Sequence, residues 1–324
     1  MKLTAKTKKR ILLIVAAVLV AVALATSLGI YFDWFYVADK EGKSARFRES
    51  LEQCGYANSF DNAYVATEVY GEMYTHFTAN ASGKKPKLLF IGFDGFLATG
   101  LGQRKGAPDS GIALLKETGG AYLTRTGGAT IGDQVTKTAP GWATLLTGTW
   151  GAENGVTGNG SVLNESTRSI VYTLGEAGYK TSFHVSWASH IKKTYKKEVA
   201  SASQKGLPIE YTLNSDDYGT FDGMMRSIVR GDDAIFGILE YTDHAGHSYG
   251  YDLGVEEYAR AVHEADRDAY CLIQAVFQRA SCDAEDWLIV IASDHGGANK
   301  QHGNTTVMEY TTIFISNKTP SFAG

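Results

Sequence analysis

Residues 287–303 read WLIVIASDHGGANKQHG, and this stretch indicates the fold class. Its first six residues are apolar and mostly β-branched or aromatic, which is typical of a strand buried on both faces of a parallel sheet. The run breaks at 293–297 into Ser-Asp-His-Gly-Gly, and His302 follows His295 by seven residues. Functional groups of open α/β sheets lie just beyond the carboxyl ends of the strands. The stretch therefore predicts either a metal-ligand pair or a helix-capping Asp beside a solvated His.

Similar apolar runs alternate with helical patterns along the rest of the chain. LLFIGF at 88–93 ends in Asp94, and DAIFGILEY at 233–241 leads into DHAGHSYG at 243–250. The longest soluble helix is predicted over 255–279, from an apolar stripe at helical spacing. This alternation predicts one α/β domain with a largely parallel central sheet. Further strands are predicted at 181–187 and 310–316, and further helices at 109–118, 142–146, 167–177 and 221–229.

The amino-terminal region predicts an exported protein. Residues 1–10 include five basic side chains, and the 22 residues of 11–32 carry no charge. As a helix, that run would be about 33 Å long, enough to cross a bilayer, and its basic flank should stay cytoplasmic. We expect a cell-membrane protein with an extracytoplasmic domain; the alternative is secretion after cleavage of a signal peptide. The expected segments are a cytoplasmic tail at 1–10, a transmembrane signal anchor at 11–32, a helical linker at 33–80 and a catalytic domain at 81–324.

Composition excludes some classes of partner. The 324 residues carry a formal net charge of −4, and the domain has no basic stripe, which argues against a nucleic-acid docking surface. A small phosphorylated substrate held by metals remains compatible with this charge. The three cysteines, Cys54, Cys271 and Cys282, lack Cys-x-x-Cys spacing and are assigned no zinc.

Acidic and histidine residues follow three of the predicted strands. Because parallel strands end at the same edge of a sheet, these groups can converge. Three carboxylates and three imidazoles suffice for two zinc-like ions with three protein ligands each. Thr138 lies at a predicted helix start, where anions bind favourably, and a metal could activate its hydroxyl as a nucleophile. The candidate ligands are Asp94, Asp243, His247, Asp294, His295 and His302.

Four motifs in this chain resemble those of the alkaline phosphatase superfamily. Within it they are similar to the type I phosphodiesterase/nucleotide pyrophosphatase branch. The resemblance implies an alkaline-phosphatase-like, three-layer α/β/α domain over roughly residues 85 to 316. The motifs are LFIGFDGF at 89–96, VTKTAPGWATLLTGTWGAENGVTGN at 135–159, DHAGHSYG at 243–250 and SDHGG…QHG at 293–303.

The resemblance also implies a site with two zinc ions. Thr138 would attack phosphorus and form a phosphoryl-threonine, and a second step would hydrolyse it. A phosphodiester or nucleotide pyrophosphate is the favoured substrate. The implied ligands are Asp94, Thr138, Asp294 and His295 for one zinc, and Asp243, His247 and His302 for the other.

Two features depart from the family pattern. The family's Thr-Phe-Pro-Asn is replaced by Thr-Ala-Pro-Gly at 138–141, so Asn159 or Lys137 is a candidate to contact the phosphoryl oxygen instead. The short spacing between His295 and His302 differs from that of many relatives.

Tyr249 is a candidate to line the substrate cleft. The alternative functions are a phosphomonoesterase, phosphonate hydrolase or sulfatase on the same scaffold, or a non-catalytic metal-binding surface protein.

Overall fold

The computed structural model describes residues 17–20, 23–24, 42–79, 82–127 and 134–323. The chain divides into two compact units, and the larger begins at Phe47. Most of the predicted transmembrane anchor at 11–32 lies outside the described residues. Among the helices that the structure does describe, none combines the length and the hydrophobicity needed to span a bilayer.

An eight-stranded sheet organises the larger unit, and its strands are β1 Tyr64–Val65, β2 Lys85–Phe93, β3 Gly120–Arg125, β4 Thr181–Val185, β5 Ile209–Leu213, β6 Ala234–Leu239, β7 Glu285–Ala292 and β8 Thr311–Ser316. Their order across the sheet is β1-β3-β8-β7-β2-β6-β4-β5. Most neighbouring strands are parallel, whereas β8 is antiparallel to both of its neighbours, β3 and β7. The predicted largely parallel sheet is therefore confirmed.

Helices cover both faces of this sheet. Residues 42–54 are helical, and the α-helices from residue 68 onward are α1 Glu68–Thr78, α2 Gly100–Gln103, α3 Gly111–Thr118, α4 Thr138–Thr147, α5 Gly151–Asn154, α6 Ile170–Glu176, α7 Lys196–Lys205, α8 Asp217–Arg230, α9 Tyr241–Tyr249, α10 Glu256–Phe277 and α11 Val307–Tyr310. Successive side chains of a strand point to opposite faces, so Leu89 and Ile91 enter one core, while Leu88 and Phe90 enter the other. The first core is closed by α3, α8 and α10, and the second by α1, α4 and α6. The three-layer α/β/α arrangement is thus confirmed.

Strand β2 lies at the centre of the part of the sheet that matters for function. It pairs in parallel with β7 on one side and β6 on the other, so that Ile91 is level with both Ile291 and Gly237. The segments that follow these three strands are consequently neighbours at the carboxyl edge of the sheet. All the predicted metal ligands except Thr138, which begins helix α4, come from these segments.

Some local predictions differ from the structure. Helix α4 begins at Thr138 rather than at Trp142. Pro140 is tolerated in its first turn because backbone nitrogens there have no acceptor within the helix, so the missing N–H of proline loses no hydrogen bond. The segment DHAGHSYG, predicted as a strand tip, forms most of helix α9. Strands β1, β3 and β5 were not predicted, since β1 has only two residues, β3 mixes apolar and polar residues in the sequence GAYLTR, and β5 is only half-buried at the edge of the sheet.

Candidate active site

The carboxyl edge of the sheet brings the predicted ligands and the predicted nucleophile together. Asp94 directly follows β2, and Asp294 and His295 follow β7. Asp243 and His247 are one turn apart on α9, which places both on the same face of that helix. Four of the residues are almost wholly buried, and Asp243 and His302 are largely so; His247 is more exposed. The buried four are Asp94, Thr138, Asp294 and His295.

His295 is the centre of the first cluster. Its Nε2 atom lies 3.4 Å from Thr138 Oγ1, 3.5 Å from Asp94 Oδ1 and 3.3 Å from Asp294 Oδ2. Ligands of a tetrahedral zinc ion, each ~2.0–2.2 Å from the metal, stand ~3.3–3.6 Å from one another. The three distances from His295 therefore match the spacing between ligands in one zinc coordination shell.

The unpartnered oxygens of this cluster support the same interpretation. Asp94 Oδ2 accepts a hydrogen bond from Trp142 Nε1 at 2.9 Å, and Asp294 Oδ1 accepts one from the backbone N–H of Gly95 at 3.2 Å. The other oxygen of each carboxylate is buried and has no hydrogen-bond partner among the described residues. A buried carboxylate oxygen is costly without a partner. A cation held between these oxygens would supply it.

Asp243 is the centre of the second cluster. Its Oδ2 lies 3.6 Å from His247 Nε2, and its Oδ1 lies 3.6 Å from His302 Nε2. The two imidazole Nε2 atoms are 3.1 Å apart. The ligand atoms of Asp243, His295 and His302 also lie within 4.8 Å of one another, so the two clusters are contiguous.

Backbone carbonyls determine which nitrogen of each histidine faces its cluster. The Nδ1 atom lies 3.0 Å from the Lys300 carbonyl in His247, 2.8 Å from that of Thr136 in His302, and 2.8 Å from that of Gly296 in His295. A carbonyl can only accept, so Nδ1 carries the proton and Nε2 offers a lone pair. The Nε2 lone pairs of His247 and His302 therefore face each other and repel, unless a cation or a proton lies between them.

Burial and like charge shift the ionisation of the first cluster. The pKa values of Asp94 and Asp294 are raised well above the usual range, chiefly by burial and then by neighbouring carboxylates. Burial, followed by the charge of His302, lowers the pKa of His295 to about 3, and burial also lowers that of His302. The imidazoles of His295 and His302 are therefore neutral at pH 7, as metal ligands must be, and a divalent cation would replace protons on the carboxyls.

Two further side chains hold the ligands, and the sequence did not single them out. Trp142 hydrogen-bonds Asp94, and its indole ring packs so closely on β2 that a Cβ at Gly92 would lie 2.4 Å from it. The hydroxyl of Tyr251 donates a short hydrogen bond to Asp243 Oδ1. Trp142 follows Thr138 by one helical turn, a spacing that places both on one face of α4. Tyr251 follows the end of α9, and no periodic pattern indicates its position.

The three remaining candidates lie at the margin of the site. Asn159 Oδ1 accepts a hydrogen bond from the backbone N–H of Ala139 at 3.1 Å, next to Thr138. Lys137 is half-buried and packs against the loop at Gly303, where a Cβ would lie 3.0 Å from Lys137 Cε. Tyr249 ends α9 with 54% of its surface exposed and makes no hydrogen bond to the described site residues. The structure does not bring Tyr249 into either cluster.

Comparisons with known proteins agree with this geometry. Residues 88–316 match the family model described as type I phosphodiesterase/nucleotide pyrophosphatase. No curated protein matches the chain. A structure from Bacteroides thetaiotaomicron, provisionally assigned as a sulfatase, has a TM-score of 0.50 and 14% identity over 73% of this chain and 65% of its own, which supports a shared fold.

Two other solved structures have lower TM-scores. Murine ectonucleotide pyrophosphatase/phosphodiesterase 5, an inactive variant in complex with AMP, is 19% identical over 66% of this chain and 57% of its own, with a TM-score of 0.49. Phosphonoacetate hydrolase from Sinorhizobium meliloti, in complex with phosphonoformate, is 16% identical over the same shares, with a TM-score of 0.47. The chain spans 57% to 65% of the length of the three structures.

The family match includes every residue of both clusters and extends over most of the chain. It also agrees with the four motifs and with the order in which they occur. The chain belongs to the type I phosphodiesterase/nucleotide pyrophosphatase family of the alkaline phosphatase superfamily.

Proposed function

We propose that this protein is a two-zinc hydrolase that cleaves phosphodiesters or nucleotide pyrophosphates, with Thr138 as its nucleophile. One observation carries the proposal. The buried Thr138 hydroxyl lies 3.4 Å from His295 Nε2, which is itself within 3.5 Å of two carboxylate oxygens that have no other partner among the described residues. A hydroxyl at this point would become a ligand of the same cation as the carboxylates.

The donor set would hold two ions. Bound zinc lowers the pKa of a hydroxyl or water that it ligates and offsets negative charge on phosphoryl oxygens. Both effects are needed at Thr138, because an ordinary threonine hydroxyl is a poor nucleophile. The proposed ligands are Asp94, Thr138, Asp294 and His295 for one zinc, and Asp243, His247 and His302 for the other.

The start of α4 supports the placement of an anionic phosphoryl group beside Thr138. Helix starts favour anions, although in this first turn Pro140 has no N–H and the N–H of Ala139 is bonded to Asn159. Because Asn159 Oδ1 accepts that bond, its Nδ2 amide remains the group that can donate. We assign Asn159 the role of hydrogen-bonding a phosphoryl oxygen, in place of the Asn that the 138–141 motif lacks.

Replacement of Thr138 tests this function. We expect the zinc-loaded wild type to hydrolyse bis-nitrophenyl phosphate faster than nitrophenyl phosphate or nitrophenyl sulfate. Thr138→Ala should lower kcat by about 10³-fold or more while retaining zinc, because three ligands of that ion remain. Thr138→Ser keeps a hydroxyl and should retain part of the activity.

A matched control removes a threonine hydroxyl from the same helix. Thr144 is buried in α4 and bonds Gln134, away from both clusters. Thr144→Ala should change stability but leave kcat within about threefold, since no reacting group is touched. If the wild type and Thr138→Ala hydrolyse all three substrates equally, at a background rate and with two zinc ions bound, the enzymatic function is wrong and a non-catalytic metal-binding protein is supported.

We also propose that residues 11–32 anchor the protein in the cell membrane, with the hydrolase domain on the outer side. The support is the charge pattern of the sequence alone: five basic residues precede the uncharged run. Protease added to intact cells should then digest the domain, and a domain that becomes accessible only after lysis would contradict the proposed orientation.

A further inference from the structure

Tyr251 connects the two segments that provide the second cluster. Its hydroxyl donates to Asp243 Oδ1, and its ring meets the rings of His247 and His302 edge-on, with centroids 5.7 and 6.2 Å away. The side chain is buried, with 5% of its surface exposed. We propose that Tyr251 is a positioning residue for the second zinc site, one that sets the orientation of the Asp243 carboxylate and the spacing between α9 and the loop that carries His302.

Two glycines show how closely the ring of Tyr251 is held. A Cβ at Gly246, on α9, would lie 2.3 Å from Tyr251 Cε1, and a Cβ at Gly297, after β7, would lie 2.3 Å from Tyr251 Cγ. Each distance is far below van der Waals contact, so both backbones approach the ring to a distance that only glycine allows. The ring therefore separates the segment bearing Asp243 and His247 from the segment bearing His302.

Hydrogen bonds around Tyr251 join the end of α9 to the loop that carries His302. The N–H of Tyr251 donates to the carbonyl of Asn299 at 2.6 Å, and the carbonyl of the next residue, Lys300, accepts from His247 Nδ1 at 3.0 Å. Lys300 Nζ in turn donates to the carbonyl of Ser248 at 2.8 Å. The end of α9 and the 298–302 loop are thus joined on both sides of Tyr251, and movement of the ring would shift both.

The hydroxyl of Tyr251 has a specific effect on Asp243. A carboxylate ligand can rotate about its Cβ–Cγ bond, and a hydrogen bond to one oxygen removes that freedom before the metal binds. Each carboxylate oxygen has two lone pairs, so Asp243 Oδ1 can accept from Tyr251 and still face His302 Nε2, 3.6 Å away. The hydrogen bond thereby preorganises the carboxylate between the two imidazoles.

This inference rests on the proposed two-zinc function, and Tyr251→Phe tests it on the full-length chain. The variant removes one oxygen atom and keeps the ring between the two glycines. Zinc would be titrated into metal-free protein in competition with a chromophoric chelator, and the visible spectrum would be recorded after cobalt substitution. We expect one of the two zinc affinities to fall about 10- to 100-fold and the other to remain within about threefold, with altered cobalt bands from the weakened site.

Tyr172→Phe is the matched control. Tyr172 is fully buried, and its hydroxyl bonds the side chain of Ser201 at 2.8 Å and interacts with Lys205, neither of which belongs to either cluster. This variant should lose a comparable hydrogen bond yet keep both zinc affinities and the wild-type cobalt spectrum. A role for Tyr251 in folding alone would lower thermal stability in both variants and leave their metal binding unchanged.

The outcomes separate this inference from the proposed function. If the wild type binds two zinc ions and Tyr251→Phe matches it in both affinities and in cobalt spectrum, the positioning role is wrong and the proposed function stands. If both variants weaken zinc binding equally, the effect is general and the positioning role is again wrong. If the wild type binds fewer than two zinc ions, the proposed function fails, and the role of Tyr251 fails with it.

Discussion

The imidazole rings of His295 and His302 stack with centroids 3.8 Å apart and planes 15° from parallel. The loop between them turns back on itself: Ala298 pairs with Gln301 in an antiparallel bridge, and Asn299 adopts a positive φ of 56°. The chain therefore needs only seven residues to pass from His295 in the first cluster to His302 in the second. The short spacing that departs from many relatives is compatible with a complete ligand set.

Removal of the His302 imidazole should empty one metal site and leave the other. His302→Ala deletes a nitrogen that lies 3.1 Å from His247 Nε2 and 3.6 Å from Asp243. We expect the zinc content of the purified protein to fall from about two ions to about one, since two ligands hold zinc poorly. Elemental analysis after dialysis measures this content.

His244→Ala is the control for that experiment. His244 is exposed on α9 and pairs with Glu240 at 3.3 Å rather than with either cluster. Its removal should leave about two zinc ions per chain. An unchanged zinc content in His302→Ala would show that His302 is not a ligand.

The indole of Trp142 should affect the first cluster through Asp94. Trp142→Phe loses the 2.9 Å hydrogen bond from Nε1 to Asp94 Oδ2 but keeps most of the ring that packs on β2. Loss of a partner that orients a metal ligand typically reduces metal affinity or activity about 10- to 100-fold. The expected result is such a fall in kcat/KM, partly reversed by added zinc.

Trp287→Phe provides the comparison. Trp287 Nε1 also donates to a carboxylate, that of Glu285 at 2.8 Å, but at the amino end of β7, opposite the site. The loss of stability should be similar in the two variants. Equal kcat/KM in Trp142→Phe and Trp287→Phe would contradict the role assigned to Trp142.

Alanine replacements of two helical glycines should have opposite effects on stability. In α1, a Cβ at Gly71 meets nothing within 4 Å, so Gly71→Ala should raise the free energy of unfolding by about 0.5–1 kcal/mol through helix propensity. In α9, the Cβ of Gly246→Ala would lie 2.3 Å from the Tyr251 ring. This overpacking should lower the free energy of unfolding by about 1–3 kcal/mol. Urea unfolding measures both; stabilisation by Gly246→Ala would disprove the close packing of Tyr251.

The stability of the domain should fall as pH rises through neutrality because of Glu198. Burial raises the pKa of this carboxyl to about 7, despite hydrogen bonds from the N–H and hydroxyl of Ser169. The folded pKa is above the unfolded one, so the folded chain binds the extra proton. This contribution is fully present below about pH 4.5 and is lost as pH rises through about 7.

Glu198→Gln should remove that pH dependence. The amide retains an acceptor for the Ser169 N–H and a donor for its hydroxyl, and it carries no charge at any pH. At pH 8 we expect the variant to be more stable than the wild type by about 3 kcal/mol, with little difference at pH 4. Urea unfolding at both pH values measures this difference. Glu176→Gln is the control, because Glu176 is exposed and forms an ion pair with Lys205 at the surface. The same difference at pH 4 and pH 8 would contradict the assignment.

Much of the site could be predicted from the sequence because its ligands follow strands. Asp94 and Asp294 come directly after apolar runs, and the parallel order of those strands brings them to one edge. Asp243 and His247 are four residues apart, so helix α9, which the structure has where a strand tip was predicted, still places them on one face. These features depend on local periodicity and on a general rule of α/β sheets.

Other features depend on tertiary contacts that a single sequence does not encode visibly. The Tyr251 ring packs against glycines in two separate segments. Nothing in the sequence around either glycine distinguishes it from a glycine in an ordinary turn. The antiparallel direction of β8 follows from the path of the chain around β7, and an apolar strand reads alike in both directions. The exposed position of Tyr249 is a third example, because an aromatic residue beside a ligand motif suits a cleft wall and a helix end equally well.

The central position of β2 between β7 and β6 has a consequence for the folding kinetics. The two clusters require residues from 94 to 302 and exist only once these distant parallel strands have paired. Long-range pairing of this kind is slow. A ligand that binds only after these strands have paired stabilises the native state without stabilising the transition state for folding. Zinc should therefore slow the unfolding of this domain many-fold and leave its rate of folding almost unchanged.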